Sequence, residues 1–261
     1  MPDQRPMPLT PEERIERDLL LGEVVDNFPS RRLRVLVSGW AVLLGLGTLL
    51  NFALLPWLES EWSGPLFGFG IGLLGLVIGW RVMHYWNREV ILYEHGFRYR
   101  EGSYHVPFRY DEIKTIRLRA ERWVYLGVIR LNQYEVRLTT YGGDVIRLTD
   151  VYHRIETLSD CLTEQIHPLL RRAHASTLSK GGAVDFGSGL HLSQEGLSVS
   201  QSVLQDATAD AHLAWADFGG YRVQDRQLQL LTHDQRVWFA PSLSALDNIT
   251  LLIEFMKQKS P

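Results

Sequence analysis

FGFGIGLLGLVIGWR, residues 67–81, is the stretch whose reading decides the fold. Gly70, Gly72 and Gly75 stand there in the G-x-G-x-x-G spacing of dinucleotide-binding loops. Such a loop needs its glycines in a tight turn between a strand and a helix, inside a water-accessible α/β unit. Here both flanks are apolar: residues 33–86 carry only Arg34, Glu59, Glu61 and Arg81 as charged groups. The run therefore reads as part of a membrane helix, in which Gly68 with Gly72 and Gly75 with Gly79 form small-x-x-x-small pairs that let another helix approach closely. Leu33–Leu58 and Pro65–Trp86 are each long enough for a hydrocarbon core of about 30 Å, and the short ESEWSG between them makes the two spans an antiparallel hairpin. Trp57 and Trp62 mark one interface, Tyr85 and Trp86 the other. Arg31, Arg32 and Arg34 precede the first span and Arg81 and Arg88 close the second, so the positive-inside bias places both termini in the cytoplasm.

Composition adds a compartment and several exclusions. The net charge of −3 is distributed unevenly: the first 32 residues and those from 181 onward are acidic, and residues 88–172 are slightly basic. No segment has the strongly basic balance of a nucleic-acid-binding domain. One cysteine, Cys161, excludes an intramolecular disulfide and a cysteine zinc site. The polar stretch before the first apolar run lacks the form of a secretory signal. Within it, Thr10, Pro11 and Glu13 have the pattern of a capping box and predict one short helix.

After the hairpin the text changes to short alternating segments broken by turn residues, as in half-buried antiparallel strands. These segments repeat. VILYEHGFRYR corresponds to GLHLSQEGLSVS, with Gly96 and Gly196 in equivalent turns. VPFRYDEIKTIRL corresponds to LAWADFGGYRV, aligning Tyr110 with Trp215, Glu112 with Asp217 and Ile113 with Phe218. YEVRLTTYGGDVIRLTD corresponds to RQLQLLTHDQRVWFAP, each a hairpin with its tip at Gly142 and Gly143 or at His233 and Asp234. Amphipathic helices over about residues 152–170 and 243–258 close the two copies. HASTLSKGGAVDFGSG between them reads as a linker.

The expected fold class is thus a two-helix transmembrane hairpin followed by two α+β domains, each a bent antiparallel sheet plugged by a C-terminal helix, the pleckstrin-homology-like design. The expected segments are 1–32, an N-terminal part with a short helix; 33–86, the hairpin; 87–172, the first domain; 173–182, the linker; and 183–261, the second domain. In order and spacing, VILYEHGFRYR, VPFRYDEI, GGAVDFGSGLHLSQEGLSV, LAWADF and DNITLLIEFM resemble an uncharacterised bacterial family of membrane-anchored proteins with tandem pleckstrin-homology-like domains. QSVLQDATADAH departs from that family's pattern by its length. The resemblance implies a multi-pass protein of the bacterial inner membrane and implies no reaction.

Catalysis needs converging acids, bases, nucleophiles or metal ligands. The histidines are scattered, with His84 at the membrane edge, His95 and His233 in turns and His167 before Pro168. No zinc-protease pair and no G-x-S-x-G elbow occurs. The expectation is a non-enzymatic scaffold with no cofactor and no metal. Asn248, Ile249 and Thr250 form a glycosylation sequon that a cytoplasmic helix leaves idle. One basic constellation, Arg117, Arg119, Arg122 and Arg130 with Trp123 and Tyr125, offers forked donors to a phosphate or carboxylate. Glu112, Glu121 and Glu135 equally account for it as a solvated face. The expected partners are the membrane, a protein bound through the acidic second domain, and anionic lipid head groups at the arginines, with no nucleic acid. An accessory role beside a membrane enzyme or transporter is the further alternative. Trp215 and Trp238 read as core aromatics.

Overall fold

The computed structural model describes residues 19–54, 63–102, 104–125, 129–200 and 211–259; the side chains at 34–35, 50–54, 63–69, 71, 120–125 and 129–133 are outside the described set. The chain divides into two compact units. One holds the described residues up to Arg109 together with Val151–Ile155; the other holds Tyr110–Asp150 and the residues from Glu156 onward.

The N-terminal unit is built on an antiparallel sheet in the order β1-β2-β3-β4, formed by Val24–Pro29, Arg88–Tyr93, Gly96–Glu101 and Tyr104–Arg109. Two helices, α1 (Arg32–Leu54) and α2 (Ser63–Trp86), are inserted between β1 and β2. VVDNFP has little local strand preference, and tertiary pairing makes it β1: Val24 lies opposite Tyr93, Pro29 opposite Glu89, and Phe28 is fully buried. Its proline is tolerated because β1 is an edge strand. The segment after Asp150 closes against that edge, with Arg31 N donating to Val151 O at 2.7 Å and His153 N donating to Pro29 O at 2.8 Å. The short helix expected at Thr10–Glu13 is outside the described residues.

The transmembrane hairpin expected over residues 33–86 is corrected: among the described residues, no helix is long and apolar enough to cross a membrane. Charged and titratable groups stand inside both helices, Arg32 and Arg34 in the first turn of α1 and Arg81 and His84 in the last turns of α2. The two spans, the integral membrane partner, the multi-pass inner-membrane placement and the topology with both termini in the cytoplasm rest on that hairpin and are corrected with it. The two helices pack on each other at Gly39. A Cβ at Gly39 of α1 would lie 2.5 Å from Val82 Cγ2 and 3.7 Å from Ile78 Cγ2, so any larger residue there requires the Val82 side chain to move. At Gly72, Gly75 and Gly79 a Cβ would meet nothing within 4 Å, and the Gly68 side-chain position is outside the described set.

The C-terminal unit holds the remaining strands. β5 (Ile113–Tyr125), β6 (Ile129–Thr140) and β7 (Val145–Thr149) form one sheet in that order, followed by α3 (Ile155–Ser179). Then come β8 (Val184–Asp185), β9 (Leu190–Leu192), β10 (Gly196–Val199) and β11 (His212–Ala214), a four-stranded sheet in the order β11-β10-β9-β8. β12 (Phe218–Gln224), β13 (Gln227–Thr232) and β14 (Val237–Phe239) form a three-stranded sheet, and α4 (Ile249–Lys259) ends the described chain. Four strands, three strands and a helix therefore occur twice in chain order.

Equivalent positions in the two rounds do equivalent physical work. Tyr110–Glu112 and Trp215–Asp217 are 3-10 turns that lead into β5 and β12. Gly96 and Gly196 each begin a strand where a neighbouring carbonyl, from Phe108 or Leu213, passes too close for any Cβ. The helix α3 runs through Pro168, whose missing N–H costs one helical bond. Burial repays that loss: Ile155, Leu158, Leu162, Ile166, Leu170 and His174 form one buried stripe at helical spacing, which continues past the proline. The HASTLS segment expected as linker is helix for this reason.

Candidate functional site

The first predicted site residue, Arg117, is committed inside the fold. It lies on β5, an edge strand, where the turn before α4 reaches across to it. Arg117 Nε donates to Asp247 Oδ1 at 2.8 Å and Nη2 donates to Oδ2 at 3.0 Å, a fork-to-fork pair. Asp247 N in turn donates to Phe186 O at 2.7 Å.

Asn248, the next residue, seals the same edge. Its backbone sits at φ +49°, in the left-handed region that asparagine tolerates better than most residues. From there its N–H donates to Ile116 O at 2.8 Å, its Oδ1 accepts from Ile116 N at 2.8 Å and its Nδ2 donates to Lys114 O at 3.4 Å. An edge strand thereby loses exposed pairing groups to a side chain. With Asn248 only 3% exposed, the acceptor amide of the sequon is buried.

The other predicted arginines divide. Arg119 is exposed and faces Glu135 across the β5–β6 pair. Arg122 and Arg130 lie on the strands, but their side chains are outside the described set, as are those of Trp123 and Tyr125. Register reveals a basic row that strand-by-strand reading missed: Arg117 opposes Arg137 on β6, and Arg137 opposes Arg147 on β7. The signal was present in VRLT and IRLT, whose arginines meet when the two strands fold around Gly142 and Gly143. Like charges directly opposite one another weaken a sheet, and Asp247 offsets the first of the three.

A concave feature of this unit lies elsewhere. A cleft of about 280 Å³ is lined by Ala175, Leu178 and Ser179 of α3, Leu192 to Gln194 after β9, Trp215, and Phe255, Gln258 and Lys259 of α4. Trp215, expected in the core, is half-buried and forms one wall. Its Nε1 donates to Ser193 O at 3.2 Å and its ring meets Phe218 edge-on at 5.5 Å. Behind the cleft, His174 lies edge-on to Phe186 at 5.6 Å and 6.5 Å from Phe255. Burial and the nearby His167 hold the His174 pKa below its ordinary value, and His174 Nδ1 has no hydrogen-bond partner. Arg171 and Glu254 bridge α3 to α4 nearby at 2.6 Å.

A separate polar cluster stands in the N-terminal unit. Glu101 Oε1 accepts from Arg88 and lies 3.0 Å from His84 Nε2, while Oε2 accepts from Tyr99 OH at 2.9 Å. Burial opposes ionisation of Glu101, but Arg88 and the bonds from Tyr99 and His84 outweigh it and hold the carboxyl below its usual range. Burial, first of all, pushes the hydroxyls of Tyr99 and Tyr152 strongly up, so both stay protonated. With Arg88 also 4.4 Å from the Tyr85 ring, the cluster ties the end of α2 to β2 and β3. Among the described residues, no group of three His, Cys, Asp or Glu is placed to hold a metal ion.

No curated protein matches the chain. A family model does, over residues 10–260, nearly the whole length and both rounds of strands and helix; the chain belongs to the family of unknown function DUF6585.

Proposed function

We propose that this chain is a non-enzymatic binding protein whose two rounds of structure are pleckstrin-homology-like modules, and that it recognises a protein or peptide as a scaffold. The observation that carries the reading is the order of elements: four antiparallel strands, three antiparallel strands and a helix, then the same order again. The inference from such an architecture to binding is an analogy of fold, and the site must carry the rest. Two observations on the site support it: Arg117 is engaged by Asp247, and an apolar cleft stands beside Trp215.

The test is crosslinking of the tagged full chain in its native cells, followed by mass spectrometry. The reading expects the same one or two proteins in every replicate, joined to residues of the C-terminal unit. Crosslinks no more reproducible than those of a tag-only control overturn it.

A further inference from the structure

We infer that the cleft between α3, the β9–β10 turn and α4 is a slot for a linear peptide of a partner protein, one bulky apolar side chain with a carboxylate next to it. This rests on the reading of the chain as a protein-binding module and names the partner's chemistry. Size comes first. About 280 Å³ falls just below the range of about 300–1,000 Å³ used by whole small molecules, so the cleft admits one or two side chains rather than a cofactor. Its walls are apolar and partly uncovered: Trp215, Phe255 and Leu178 are half-buried around the buried Leu192. Trp215 is already fixed by Ser193 and Phe218, so an arriving side chain orders little on binding.

Charge selects the second half of the motif. Lys259 is the one ionisable group among the described lining residues, and no carboxylate lines the cleft. A carboxylate beside the apolar anchor meets that amine at the rim, where Gln194 and Gln258 add amide groups. Ser193 contributes shape alone, because its hydroxyl is occupied by Gly196 and Glu195 within the turn. Lys259 also complements the negative end of its own helix, so reversing its charge is more telling than removing it.

The experiment is selection of a random linear-peptide display library on the immobilised full chain, followed by fluorescence anisotropy of the consensus peptide. Two exposed positions are varied, so that the fold is retained: Ala175→Trp, which fills the slot, and Lys259→Glu. The expected result is a consensus with Leu, Phe or Trp adjacent to Asp or Glu. Ala175→Trp then weakens binding by at least about tenfold. Lys259→Glu weakens it by about fivefold and, in a fresh selection, replaces the acidic preference with a basic one. A consensus bound equally by Ala175→Trp overturns the slot and leaves peptide recognition standing. Failure to enrich any sequence over a blank surface overturns both. Self-association of the full chain that Ala175→Trp abolishes overturns the peptide assignment in favour of a second copy.

Discussion

Replacing Asn248 with alanine removes two side-chain bonds at once, and their environments set the cost. The Ile116 N–H, paired with Asn248 Oδ1 at 2.8 Å, is left without an acceptor beside a residue only 3% exposed. A buried donor left unpaired costs about 1–3 kcal/mol. The Nδ2 bond to Lys114 O, at 3.4 Å, contributes little more. Alanine at φ +49° adds roughly 1 kcal/mol of backbone strain relative to asparagine. The sum is about 2–4 kcal/mol, which lowers the melting temperature of a unit this size by about 4–16 °C. Asn248→Gly separates the two causes, since glycine loses the bonds without the strain and is expected to melt roughly 2–4 °C above the alanine variant. Hydrogen exchange supplies the local assay: the Ile116 amide is protected in the native chain and exchanges faster in both variants. An unchanged Ile116 exchange rate together with a melting temperature within one or two degrees of the parent refutes the edge-sealing role.

Acid is expected to loosen the C-terminal unit through buried His174 and half-buried His167. Burial lowers the pKa of His174 and His167 in the folded chain, so the unfolded chain binds protons more readily as pH falls through about 6.5. Stability from this source is fully present above that pH and declines below it toward the lowered folded values. In urea titrations between pH 5 and 7, His174→Leu reduces the slope and His174→Leu with His167→Gln abolishes it; an unchanged slope in the double variant contradicts the account. The basic row makes the opposite kind of prediction, a gain. Arg147→Glu places a carboxylate opposite Arg137 and raises stability by about 0.2–1 kcal/mol, read as a higher melting temperature; a decrease means that the arginines do not repel one another.

What the amino-acid text disclosed was local. Tyr110 and Trp215, with the acid two residues on, announced equivalent turns because turn chemistry is written in neighbouring residues. Distant pairings left no such trace. VVDNFP becomes a strand only when Phe28 finds a core and Tyr93 a partner across an intervening pair of helices. The first closing helix was expected to end near residue 170, yet the buried stripe continues to His174 because a second surface, at Phe186, is there to bury it. The arginines could be placed on one strand face from period alone, whereas the reach of Asp247 to Arg117 depends on a turn 130 residues away. The cleft was the least legible of all, being assembled from four separate segments of which only Trp215 drew notice.

The position of β1 before the two helices has a consequence for the order in which the chain is made. Pro29 leaves the ribosome about 60 residues ahead of Glu89, its partner, a delay of roughly 3–12 s at about 5–20 residues per second. Throughout that interval Phe28 has no core to enter. A fragment beginning at Arg88 makes the delay permanent: β2 becomes an open edge along Ile91 and Leu92, where another growing chain can pair.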